Sequence, residues 1–145
     1  MTAKWLVSLM RARQIQEDHA ARELAEAERR ARRASAYVRH NAERIETLSN
    51  DEAEVTVPAF IAAAVALQAA AATHAAAVAS AEFAYADSDL RRASLHRAAR
   101  ARLTAEELHD NAHSIEVAQR ARLEQREHDE IASSLHRQHH PEVLQ

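Results

Sequence analysis

The chain contains no glycine, no cysteine and only two prolines, and aromatic residues make up 3% of it. Without glycine, almost nothing can form a tight turn or a left-handed helix cap, which excludes a compact fold of many short elements. Without cysteine there are no disulfides and no thiolate metal sites, and this fits a reducing compartment. Apolar residues reach 47%, but with so few aromatics they are mostly alanine, too small to fill a thick globular core. What remains is the composition of long helices packed closely on small side chains, over 145 residues. The net charge of −3, from 19 basic and 22 acidic residues, argues against a general nucleic-acid binder.

The first fifty residues carry an alternation of four and three that begins at Leu6 and continues through Met10, Arg13, Glu17, Ala20, Leu24, Ala27, Ala31, Ala34, Val38, Asn41, Ile45 and Leu48. Only Arg13, Glu17 and Asn41 in this series are polar. A mean spacing of 3.5 keeps one stripe of a slightly under-wound helix facing a partner, so this is a coiled-coil seam. It predicts a first helix over residues 3–49, ~70 Å long. The pattern breaks at SNDEAEVTVP, where Asn50 and Asp51 are poor helix-interior residues. Val55, Thr56 and Val57 there are β-branched, and Pro58 is tolerated only in the first turn of a new helix. Residues 50–57 are therefore the expected turn.

From Phe60 the alternation restarts through Ala64, Leu67, Ala71, His74, Val78, Ala81, Tyr85, Ser88, Arg92, Leu95 and Ala99. Folding the chain back at the break pairs the two seams in one antiparallel register, from Leu48 with Phe60 through Ile45 with Ala64 to Met10 with Ala99. Leu24 then meets Tyr85, and Glu17 falls opposite Arg92 as a register-fixing charge pair. Ala27, Ala31 and Ala34 face Ala81, Val78 and His74. The expected fold is an all-α, antiparallel two-helix coiled-coil hairpin, one elongated domain over residues 1–145. Its second helix, residues 58–138, projects beyond the first, and a short tail follows at 139–145. The projecting part, with apolar Leu108, Ala112, Ile115, Leu123, Ile131 and Leu135, reads as a helix that docks into another protein, because a lone long helix is marginal in water.

Other chemistry is thin. Glu106, His109, Asp110 and His113 share one helical face at metal-ligand spacing, but a single Glu-x-x-His is not a di-iron site and the group reads as a polar surface. His136, His139 and His140 form a mixed tail, and His74 is a tolerated seam position. There is no glycine-rich phosphate loop and no pocket that two helices could close around a substrate, so neither an enzyme nor a small-molecule cofactor is expected. Residues 59–81 carry no Lys, Arg, Asp or Glu, but Gln68, Thr73, His74, Ser80 and the many alanines make a weak membrane span, and the chain reads as soluble. The opening MTAKWLVSLMRARQ has too short an apolar run for a secretory signal. The basic cluster Arg91, Arg92, Arg97, Arg100 and Arg102 reads equally as a solvated, internally balanced face or as a contact for an acidic protein surface.

The opening KWLVSLMRARQIQEDHAARELAEA, the break near residue 55 and the ending RLEQREHDEIA, with Glu124, Gln125, Arg126, Asp129, Glu130 and Ala132, resemble the FliJ family of flagellar export proteins. That resemblance implies a soluble cytoplasmic part of the flagellar type III export apparatus, associated with the inner face of the cell membrane at the flagellar base. Its partners would be the hexameric export ATPase, which it enters like the stalk of a rotary ATPase, the membrane export gate protein, and export chaperones. The stalk analogy puts the ATPase contact at the end carrying the arginine cluster and residues 103–138, including Glu124, Gln125, Arg126, Asp129, Glu130 and Ile131. The gate contact would lie around Tyr37, Asn41, Arg44, Leu48 and Phe60. The equivalent stalk of a non-flagellar type III secretion system, a generic coiled-coil adaptor, and a membrane-associated protein using residues 59–81 are the competing readings.

Overall fold

The computed structural model describes residues 4–51 and 56–139. The chain is an all-α, antiparallel two-helix hairpin: α1 is Lys4–Ser49, 46 residues, and α2 is Val57–His139, 83 residues. Both helices begin and end within a residue or two of the expected bounds. Ala3, the turn residues 52–55 and tail residues 140–145 lie outside the described residues.

The helix ends follow from local chemistry. At the end of α1, Ser49 Oγ donates to the Ile45 carbonyl at 2.8 Å and Asn50 N–H reaches the Glu46 carbonyl at 3.0 Å. Thr56 caps α2: its Oγ1 accepts the Ala59 N–H at 3.3 Å, and its carbonyl accepts the Phe60 N–H at 2.9 Å. This satisfies amides that no preceding turn can reach, and it leaves Pro58 in the first turn, where its missing N–H costs nothing.

The described residues fall into two compact units, one within Ile15–Ala99 and one within Met1–Gln14 and Arg100–Gln145. In the first, every α1 residue of the expected seam from Glu17 to Leu48 is buried or half-buried. The α2 seam differs in phase. Leu67, His74, Ala81, Ser88 and Leu95 face α1 as expected, but the residues between them are Ala70, Ala77, Ala84, Arg91 and Ala98. Val78 and Ala99 are half-buried at the edge, whereas Phe60, Ala64, Ala71, Tyr85 and Arg92 are exposed. Tyr85, expected in the seam opposite Leu24, is 51% exposed. The physical reason is the size of the core: against Ala27, Ala31 and Ala34 there is room for Ala84 and not for a phenol ring.

The register also shifts by one heptad. Glu23 binds Arg91 at 3.3 Å, Arg30 binds Asp87 at 3.0 Å and Glu28 binds Arg92 at 3.4 Å. In the expected register these partners would be offset along the axis by about 8, 13 and 17 Å respectively, the last two beyond side-chain reach. Sliding α2 so that Leu48 meets Leu67 brings Glu23 and Arg91, and Arg30 and Asp87, nearly level, shortens the Glu28–Arg92 offset to about 8 Å, and gives every seam residue a partner. Ala27 then layers with Ser88, Ala31 with Ala84, Val38 with Ala77, and Asn41 with His74. Arg92 turns to Glu28 and, at 2.9 Å, to Asp89 in place of Glu17. The slide leaves residues 60–66 of α2 beyond the last turn of α1, and all seven are exposed.

In the second unit, Leu6 and Ala105 are buried, and Leu9, Met10, Arg13, Arg102, Glu106, His109, Ala112 and Glu116 are half-buried around them. From residue 117 to 137 every side chain is exposed. Among the described residues the core is alanines with Leu6, Asn41 and Ser88, and no large side chain is fully buried. Each alanine removes little apolar area from water, so stability is spread thinly over many layers.

Candidate docking surfaces

The arginine cluster is built into the hairpin and is not a bare cationic patch. Arg91 is held between Glu23 and Asp87, at 3.3 and 3.4 Å. Asp87 also takes Arg30, whose other nitrogen lies 4.0 Å from Glu26. The hydrogen bond from Arg30, helped by the nearby charge of Arg91, holds the Asp87 carboxyl below its ordinary range against the opposing effect of desolvation. Arg92 is shared by Glu28 and Asp89, and Arg97 donates to Ser94 Oγ at 3.1 Å. In the other unit, Arg102 binds Glu106 at 2.6 Å, and Arg100 is exposed. Most of the cluster therefore ties helices and turns together, and an acidic partner would have to compete with carboxylates already in place.

Of Glu106, His109, Asp110 and His113, the four polar residues sharing one face of α2, Glu106 is paired with Arg102, and His109 Nδ1 lies 3.3 Å from the adjacent Asp110 carboxylate. Among the described residues, no three His, Asp or Glu side chains converge on a cation site.

The residues expected to meet an export gate are not one surface. Tyr37, Arg44 and Phe60 are exposed and Leu48 is half-buried, but Asn41 is a seam residue, 3% exposed, whose Nδ2 donates to the Tyr37 carbonyl at 2.8 Å. His40, Glu43, Arg44, Thr47 and Leu48 line a shallow groove on this part of α1.

The strongest candidate is the end of α2. Glu124, Gln125, Arg126, Asp129, Glu130 and Ile131 are all exposed, and Gln125 Nε2 donates to Asp129 Oδ1 at 2.9 Å. Glu127, Glu130, Ile131 and Ser134 line a shallow groove at the spacing that puts them on one helical face. Carboxylates thus flank an apolar side chain, an arrangement that suits a partner with an apolar socket and basic rim. Val117, Leu123 and Leu135 add exposed apolar area along the same segment.

Sequence reasoning passed over one further set of residues. Val65, Phe83 and Leu90 are exposed on α2, and they follow the same three-and-four spacing as the seam but on another face. A scan for a second phase would have found them. Compared with known proteins, the chain matches no family model, no curated protein and no solved structure.

Proposed function

We propose that this chain works by protein contact alone, as the stalk component of a bacterial flagellar type III export apparatus, entering the export ATPase ring with the end of α2. It would also reach the membrane export gate and assist export chaperones from the cytoplasmic face. The support is the resemblance of its opening and ending to the FliJ family, together with one structural observation: a helix that continues from residue 117 to His139 with every described side chain exposed. A single helix of this length is marginal in water unless it docks, and residues 124–131, which carry the more specific resemblance, lie within it.

The test is ATP turnover and ring formation by the flagellar export ATPase from the same organism, with the full chain or a chain ending at Glu116. Co-purification with the full chain and increased turnover, both lost on truncation, is the expected result. Equal binding by the truncated chain would remove the docking role. Binding only to the ATPase of a non-flagellar secretion system would transfer the proposal there.

A membrane reading rests on an 18-residue window of α2 with a mean hydropathy of 1.6, only 11% buried. Against it, the α1 segment layered on Leu67–Ala81 carries Arg39, Glu43, Arg44 and Glu46, and a span would take these charges into the bilayer. Cell fractionation separates the two readings, with the chain expected in the soluble fraction or released from membranes by salt.

A further inference from the structure

α2 has a second apolar seam on the face turned away from α1. From Ala62 to Ala93, an alternation of three and four meets only alanine apart from Val65, Phe83 and Leu90, and every residue of it is exposed. If the seam facing α1 occupies heptad positions a and d, this one occupies c and f, almost diametrically opposite. The outer face of a solvated coiled coil ordinarily carries charge. This one carries none over nine turns, and it leaves Phe83 78% exposed and Leu90 68% exposed.

We propose that this face is covered by a second copy of the chain, packed antiparallel about a two-fold axis between Ala76 and Ala79. Three features select that occupant. First, the seam maps onto itself when reversed. Phe83 falls on Ala72 of the second copy, Leu90 on Val65 and Ala76 on Ala79, so each large side chain meets a smaller one, as close helix packing requires. Second, charge is divided between its halves. Residues 62–81 carry no Asp, Glu, Lys or Arg, whereas 82–93 carry Glu82, Asp87, Asp89, Arg91 and Arg92. An antiparallel pair lays the charged half along the uncharged half. A parallel pair would set Glu82 and Asp89 beside their own copies. Third, the area suffices. A strip ~48 Å long and about 10 Å wide from each copy totals on the order of 1,000 Å², the lower bound for a specific interface. A two-fold contact is isologous, so this one face supplies both sides of the interface. Lipid is the weaker occupant, because a helix lying in a membrane surface flanks its apolar face with Lys and Arg. Here Gln68, Thr73 and Ser80 flank it, followed by Glu82 and Asp89.

The inference is independent of the stalk reading and is tested on the full chain by sedimentation from low micromolar to hundreds of micromolar. The mass should rise from monomer toward dimer. Phe83→Glu should weaken association at least ~10-fold with helical content and dilute-solution melting unchanged. Orientation is read by mixing Ala76→Cys with Ala79→Cys under oxidation, where the mixed disulfide should dominate over either symmetric one. A wild-type monomer throughout the range would overturn the proposal, as would Phe83→Glu that still dimerises or symmetric disulfides in excess. Co-sedimentation of a monomer with phosphatidylcholine–phosphatidylglycerol vesicles, lost in Phe83→Glu, would assign the face to lipid instead.

Discussion

Arg30 Nη2 lies 3.0 Å from Asp87 Oδ2, joining the middle of α1 to the first half of α2. Asp87 also accepts Arg91, which reaches back to Glu23 at 3.3 Å. One carboxylate therefore connects two arginines and, through Arg91, a second carboxylate on α1. In a core made of nearly interchangeable alanine layers, these pairs distinguish one register from its neighbours a heptad away.

Asp87 gives a pH signature with a definite sign. Its carboxyl is held below the ordinary value of 3.8, first by the Arg30 hydrogen bond. A depressed folded-state value stabilises the fold above the unfolded value, and the contribution is lost as pH falls through the folded one. Asp87→Asn should lower the melting temperature modestly at neutral pH, since the pairs are partly solvated. In strong acid, wild type and variant should melt together. Circular dichroism melts across that range check it, and a constant gap at all pH values would assign the effect to packing.

The register itself is open to cross-linking, because the chain has no native cysteine to interfere. Ala27→Cys with Ser88→Cys should close an intramolecular disulfide under mild oxidation. Ala27→Cys with Ala81→Cys, the pair expected from the sequence, should not: the two α2 positions are ~10 Å apart along the axis, and a bridge needs Cα atoms within about 7 Å. Intact mass with and without reductant, at dilution, reads both.

Much of this hairpin was legible in the sequence, and the parts that were not share one cause. The α1 seam could be read residue by residue because Leu24, Val38, Ile45 and Leu48 are large apolar residues in a stretch otherwise dominated by charged, polar and small ones. Both helix ends were visible in Asn50, Asp51 and Pro58. On α2, Ala70 stands beside Ala71, Ala77 beside Val78 and Ala98 beside Ala99, so two phases look equally apolar and periodicity cannot choose. Tyr85 drew the seam toward itself because it is large, when the geometry there demanded something small. Register followed the phase into error, since alanine layers carry no size code and only ion pairs formed across the helices decide it. The exposed end of α2 was readable as a continuing helix, and the fate of the arginine cluster was not, because pairing depends on that register.

Ala27 is 0% exposed, the most enclosed side chain among those buried. Enlarging it should separate the helices locally: Ala27→Leu is expected to cost about 1–3 kcal/mol through overpacking. Tyr85→Ala, on the exposed side of α2, should change stability by less than about 0.5 kcal/mol. Urea unfolding followed by ellipticity measures both. Comparable losses would restore Tyr85 to the seam and remove the phase assigned to α2.

The layer of Asn41 and His74 is where the hairpin sets specificity against stability. Asn41 is buried and satisfied by the Tyr37 carbonyl at 2.8 Å, whereas His74 Nδ1 is buried without a hydrogen-bond partner. A buried polar atom left unpaired costs about 1–3 kcal/mol, so His74→Leu should raise the unfolding free energy by an amount of that order. It should also weaken the discrimination between registers, because a polar layer in a coiled-coil seam fixes alignment at a cost in stability. Combined with the cysteine pairs above, His74→Leu should therefore melt higher and yet allow a detectable fraction of the Ala27→Cys, Ala81→Cys disulfide. A variant that melts lower would show that the imidazole contributes more by packing between the helices than its unpaired nitrogen takes away.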